Sequence, residues 1–230
     1  MIGIIGAMEE EVAALIGEMK EISSKEKASM IFYTGKLMDQ EVVIVRSGIG
    51  KVNAGICTQI LVDEYQVESV INTGIAGSLD PDINIGDIVI SSDAVQHDMD
   101  ATGFGYEKGQ IPRMDTKEFT ADRELGKRMK VVNEEVNPDI QTFMGRIASG
   151  DQFIADGKIK NDIIEEFQAK CVEMEGGAIA QVAYLNHIPY VIIRAISDKA
   201  DNSAEVDYPT FEKQAILHVT RLMKAYLKSL

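Results

Sequence analysis

Short apolar runs alternate with helix-like periodicity along the whole of this chain, and that alternation limits the fold more than any other feature. Ile2–Ala7 reads as a strand, followed by a helix over about residues 9–20 with Val12, Leu15, Ile16 and Met19 on one face. Residues 30–37 and 41–47 read as two strands joined by Met38-Asp39-Gln40, close enough to form an antiparallel hairpin. A helix over residues 52–65 places Val52, Ile56, Ile60 and Leu61 inward. Strands follow at 67–73, 87–91, 142–149, 171–174 and 189–196, with helices at 121–135, 157–167, 176–186 and 208–228. The last helix buries Phe211, Ala215, Val219, Met223 and Leu227 on this reading. Parallel crossovers beside a hairpin imply a mixed sheet. No linker, low-complexity tract or repeat interrupts the pattern, so residues 1–230 read as one α/β domain.

Charge narrows the partners. The formal net charge is −14, which argues against phosphate-mediated nucleic-acid binding and against docking on an anionic membrane. No apolar run is long enough to span a bilayer, and acidic residues follow the first strand at once, unlike a signal peptide. A cytoplasmic location is expected. Cys57 and Cys171 stand apart in apolar surroundings and read as core residues. His187 and His218 read as helix-surface or helix-end residues, with His97 unassigned; none has metal-ligand spacing.

Four strand ends carry polar or glycine-rich turns: Gly6-Ala7-Met8-Glu9-Glu10-Glu11, Asn72-Thr73-Gly74-Ile75-Ala76-Gly77, Val172-Glu173-Met174-Glu175 and Arg194-Ala195-Ile196-Ser197-Asp198. Ligands of open α/β sheets bind outside the carboxyl ends of strands, so the four turns can converge on one pocket. Acids in a first helical turn also favour the helix dipole, which suffices to explain Glu9 and Glu10. Glu11 stands just before the buried stripe and can face a cleft. Glu173 and Glu175 share one side if their strand continues; otherwise Glu175 begins the next helix. Arg194 suits a buried ion pair with Glu173 or Glu11, and such a pair can keep a carboxylate ionised. The glycine turn at 73–77 matches neither dinucleotide nor Walker loops, and adjacent acids oppose phosphate.

Taken together with Ser47-Gly48-Ile49-Gly50-Lys51-Val52 and Ser149-Gly150-Asp151-Gln152-Phe153-Ile154, these turns closely resemble the 5′-methylthioadenosine/S-adenosylhomocysteine nucleosidases, in order and spacing from Met1 to the last helix. The resemblance implies a three-layer αβα fold with a central mixed sheet, of the nucleoside phosphorylase/hydrolase kind, and a homodimer. It implies hydrolysis of the base–sugar bond of an adenine nucleoside in methionine salvage, with no metal or cofactor. It assigns water activation to Glu11 and N7 protonation to Asp198. It gives the ribose hydroxyls to Glu175, helped by the backbone of Met174, and ordering of water and ribose to Glu173 and Arg194. Phe153 stacks on adenine, the backbone of Ile154 meets its edge, and Ser197 positions Asp198. Met8, Ile49 and Tyr208 line the ribose and thioether pocket. Phe104 and Tyr106, in the irregular segment 97–119, are contributed to a neighbouring subunit. Ile75 departs from the family, whose members often carry Ser there. Two other readings are phosphorolysis, which needs basic residues around phosphate, and a non-catalytic nucleoside-binding protein.

Overall fold

The computed structural model describes residues 1–230 as ten strands and six α-helices. In chain order they are β1 (Ile2–Gly6), α1 (Glu9–Ile16), β2 (Lys20–Lys27), β3 (Met30–Leu37), β4 (Gln40–Arg46), α2 (Lys51–Tyr65), β5 (Ser69–Ser78), β6 (Ile88–Gln96), β7 (Phe119–Thr120), α3 (Arg123–Val136), β8 (Thr142–Ser149), α4 (Gly157–Phe167), β9 (Cys171–Glu173), α5 (Gly176–Leu185), β10 (Tyr190–Asp198) and α6 (Ala204–Lys228). No helix is long and apolar enough to cross a membrane.

The sheet is mixed. β1 runs parallel to both β4 and β5, and β5 runs parallel to β10. β4, β3 and β2 form an antiparallel meander at one end. Both of its hairpins turn on two residues with positive φ, Ala28-Ser29 and Met38-Asp39, a turn that follows the natural strand twist. At the other end the sheet closes on itself. β10 bonds to β5 on one side and β6 on the other, while β6 pairs with β8, β8 with β9, and β9 with β5.

Strand alternation divides the core between two faces. On β1 and β4, Ile5, Val43 and Val45 join the cluster that holds Ala54, Cys57 and Leu61 of α2 and Ile179 and Ala183 of α5. Ile4, Val42 and Ile44 point the other way, toward Val12 and Leu15 of α1 and Val219, Leu222 and Met223 of α6. Ile163 and Phe167 of α4 cover a smaller cluster with Val95 and Val172. The result is helix, sheet, helix.

Several sequence expectations are corrected. α1 stops at Ile16, and β2 occupies residues read as helix and connection. Val52 and Ile56 point outward, at 72% and 43% exposure. α2 buries small residues, Ala54, Cys57 and Thr58, as well as Ile60 and Leu61, so its apolar residues are spread over both faces. His218 is buried, its Nδ1 2.9 Å from the Gly86 carbonyl oxygen. Phe211 is half-buried, and α6 begins four residues earlier, at Ala204.

Candidate active site

The carboxyl ends of β1, β5, β9 and β10 meet around a cavity of about 590 Å³. α1 begins immediately beyond β1, and its first turn folds the Glu11 carboxylate back over the strand end. Glu11 Oε2 accepts the Ala7 N–H at 2.6 Å and the Met8 N–H at 3.0 Å; Oε1 accepts the Ile75 N–H at 3.1 Å. Burial raises the Glu11 pKa, while the Arg194 charge and the three N–H groups oppose the rise by favouring the carboxylate. The balance describes a strengthened base that retains partners for its ionised form.

Asp198 closes β10 on the same cavity. Its Oδ2 accepts Ser197 Oγ–H at 2.9 Å and its Oδ1 accepts the Ala200 N–H at 2.8 Å. Burial raises its pKa against those two bonds, and the charges of Asp207 and Asp201 push the same way. No cation is among the causes, in contrast with Glu11. Two carboxyl groups on one cavity are thus set apart by their surroundings.

Between them lies a buried charge cluster. Arg194 is fully buried on β10, and its Nη2 donates to Glu173, to Asn72 Oδ1 at 2.5 Å and lies 3.7 Å from Glu175 Oε2. Burial alone would lower the Arg194 pKa; Glu173, Glu175 and Glu11 outweigh it and raise the value. Glu173 also accepts Ser149 Oγ–H and the N–H groups of Glu175 at 3.1 Å and Gly176 at 2.7 Å. β9 ends at Glu173, so Glu175 caps α5 instead of extending the strand. Its Oε1 accepts the Gly50 N–H at 2.9 Å. Burial first, then the Glu173 charge, pushes the Glu175 pKa up to about 7. Gly74 is required here by contact: a Cβ would overlap Arg194 Nη1 and Glu11 Oε1.

Of the residues singled out in the sequence, Met8, Glu11, Ile49, Phe153, Glu173, Met174, Glu175, Ser197, Asp198 and Tyr208 line this cavity. Phe153 and Tyr208 meet edge-on with ring centroids 6.0 Å apart. The Tyr208 hydroxyl lies 3.2 Å from Met8 Sδ. Ile154 is buried beside Phe153, Met174 and Asp198 in a small adjoining pocket. Arg194 stands behind the wall and does not line the cavity. Phe104 and Tyr106 do not line it either; Phe104 is 88% exposed. Sequence reasoning passed over Asn72 as the Arg194 partner, Gly50 as the donor to Glu175, Ser149 as the donor to Glu173, and Glu205 and Pro209 in the lining. The first three lie in motifs already visible as polar turns. Glu205 and Pro209 lie in the first turns of α6, ahead of or beside the expected helix start, and carried no signal. His97 is buried with its ring against Gly150, and burial lowers its pKa.

A sequence profile of the phosphorylase superfamily matches residues 1–228. A 5′-methylthioadenosine/S-adenosylhomocysteine nucleosidase of Staphylococcus aureus (strain bovine RF122 / ET3-1) is 43% identical over 231 residues, covering 100% of both chains. The nucleosidase of the same name from Neisseria meningitidis, solved with methylthio-immucillin-A, superposes with a TM-score of 0.95 at 36% identity, covering 100% of this chain and 99% of that one. The corresponding enzyme from Colwellia psychrerythraea 34H, solved with adenine, also gives 0.95, at 39% identity over 100% and 95% of the two chains. With a fold and a sequence that agree along their whole length, the chain belongs to the 5′-methylthioadenosine/S-adenosylhomocysteine nucleosidases of the phosphorylase superfamily.

Proposed function

We propose that this protein hydrolyses the N-glycosidic bond of 5′-methylthioadenosine and S-adenosylhomocysteine, releasing adenine and the thioribose, as the names of its relatives indicate for those enzymes. The observation that carries the reading is one cavity holding two buried carboxyls, Glu11 facing the Arg194 charge and Asp198 facing no cation, with no Lys or Arg in its lining. Adenine leaves poorly as an anion. Asp198, its pKa raised, delivers a proton to N7 so that the base departs neutral; general acid catalysis of this kind contributes about 10²–10⁴-fold. Positive charge then develops at C1′, as in other glycoside cleavages, and the surrounding carboxylates stabilise it. Glu11 takes the proton of the attacking water. Glu175 holds the ribose hydroxyls with the Met174 backbone. Arg194 holds Glu173 and Glu175 from behind, and Glu173 helps order the water and the ribose. Phe153 stacks on the base, with Ile154 at its edge. Met8, Ile49 and Tyr208 enclose the thioether.

The same reading makes the protein a cytoplasmic homodimer working in methionine salvage and the recycling of S-adenosylmethionine by-products. Support for the dimer comes from Phe104, exposed in the segment 97–119, and from the outward Val52, Ile56, Tyr184 and Leu185 on α2 and α5. A second copy covers these side chains and brings Phe104 and Tyr106 to its neighbour's cavity. Sedimentation of the native protein and of Phe104→Ala tests this; a native monomer refutes it.

The chemistry is tested by adenine release from both nucleosides with and without inorganic phosphate. Release independent of phosphate is expected, and its loss in Glu11→Gln and Asp198→Asn. Strict dependence on phosphate, with a 5-thio-substituted ribose-1-phosphate as product, overturns hydrolysis in favour of phosphorolysis. Adenine release that persists in both variants overturns the assigned roles.

A further inference from the structure

The cavity carries Glu11, Glu173, Glu175, Asp198 and Glu205 without a compensating Lys or Arg in its lining. A methylthio group needs only apolar wall there, which Met8, Ile49 and Tyr208 supply. A homocysteine tail is different: it ends in an α-ammonium and an α-carboxylate. The only charged groups that carboxylate meets in the lining are carboxyls, so a cation beyond the thioether favours the longer substrate.

A second cavity, of about 440 Å³, shares Ala7, Met8 and Ile49 with the first. Its other lining residues are Glu9, Glu10, Ser29, Arg46, Ser47 and Gly48. Arg46 is the one cation in the lining of either cavity. It closes β4 in register with Gly6 at the end of β1, while Glu9 opens α1 just beyond β1. The two charges therefore stand on separate elements on either side of the same strand end. Arg46 Nη1 and Glu9 Oε2 are 3.8 Å apart, wider than a hydrogen bond, and the side chains are 56% and 60% exposed. So loose and exposed a pair contributes little on its own, and opening it to admit a ligand costs little.

We propose that this second cavity receives the amino-acid end of the longer substrate, with the tail carboxylate on Arg46 and the tail ammonium on Glu9. The inference rests on the hydrolysis proposed above and adds the means by which the site distinguishes substrates that differ only beyond the sulfur. A guanidinium meets a carboxylate with two parallel N–H donors, so the pairing has direction as well as charge. The methylthio substrate ends before reaching Arg46 and is indifferent to it.

Steady-state adenine release from S-adenosylhomocysteine and from 5′-methylthioadenosine tests this with native protein, Arg46→Ala and Arg46→Lys. Arg46→Ala raises KM for S-adenosylhomocysteine about ten-fold with kcat unchanged, and leaves the methylthio substrate within about two-fold. Arg46→Lys recovers part of the loss, since charge remains and the paired donors do not. Added salt raises KM for S-adenosylhomocysteine alone, because an exposed ion pair is screened. Equal changes for both substrates, or no change for S-adenosylhomocysteine, overturn the subsite while leaving hydrolysis intact. Native protein that releases adenine from neither compound overturns the hydrolysis and the subsite with it.

Discussion

Replacing Arg194 by Met removes the one charge that faces Glu173, Glu175 and Glu11 while keeping most of the buried stem. Losing one member of a buried ion pair costs about 3–5 kcal/mol, because the partner charge stays desolvated. Here the carboxyls can escape by binding protons, so the cost must depend on pH. Burial and Glu173 already hold Glu175 up to about 7, against an ordinary 4.5. Without Arg194 that value rises further, and so does that of Glu11, whose largest opposing influence is the Arg194 charge. A carboxyl whose folded pKa stands above its unfolded one binds protons more tightly when folded. Its contribution to stability is complete below the unfolded pKa and is lost as pH rises through the folded one. The variant is therefore closest to native stability in acid and falls away toward neutrality and above. Each added pKa unit is worth about 1.4 kcal/mol, so one further unit on one carboxyl sets the smallest increase expected. Urea unfolding of both proteins at about pH 5 and about pH 8.5 reads the difference. A gap that is equal at the two pH values, or larger in acid, refutes the electrostatic account of this cluster.

Other perturbations separate the remaining parts. Gly74→Ala places a methyl against Arg194 and 2.9 Å from Glu11 Cδ; kcat/KM for adenine release falls about 10²-fold, while chemical denaturation shows a loss of about 1–3 kcal/mol. Native-like kcat/KM would show that the Glu11 position is not critical. Ile75→Ser leaves the N–H bond to Glu11 in place and wets its surroundings, so the acid limb of the kcat/KM profile moves to lower pH; movement upward contradicts burial as the dominant influence on Glu11. Cys57 and Cys171 are buried, with their thiols pushed upward by burial, and they stay unlabelled by a thiol reagent until urea unfolds the chain.

The fold was legible wherever burial left a periodic trace. The strands at Met30–Leu37 and Thr142–Ser149 and the helix Gly157–Phe167 fall where the apolar pattern places them. β2 did not show itself because every residue from Lys20 to Lys27 is exposed. An edge strand with no buried face has no alternation to read, and its lysines and glutamates guard the sheet against pairing with another chain. In α2, Val52 and Ile56 misled because an outward apolar residue is indistinguishable in sequence from an inward one. The polar turns pointed to the site, but not to which side chain each carboxylate would meet. Asn72 reads as a turn residue and becomes an Arg194 acceptor only once β5 and β10 lie side by side. Whether Glu175 prolonged a strand or capped a helix was undetermined by spacing, and the end of β9 decides it.

The closed arrangement of β5, β10, β6, β8 and β9 also bears on when a newly made chain acquires its chemistry. Arg194 and Asn72 are 122 positions apart, and Gly50 and Glu175 are 125 apart. Neither bond can form until the later segment has been synthesised. Contacts of such sequence separation make folding slow, since loop closure must precede their reward. Asp198 arrives later still, on a strand that is bonded on both edges. An incomplete chain thus has the Glu11 carboxyl without the guanidinium that faces it and without Asp198. The capacity to release adenine then cannot precede the docking of β10, and α6, which follows in the chain, must still bring Tyr208 to the cavity.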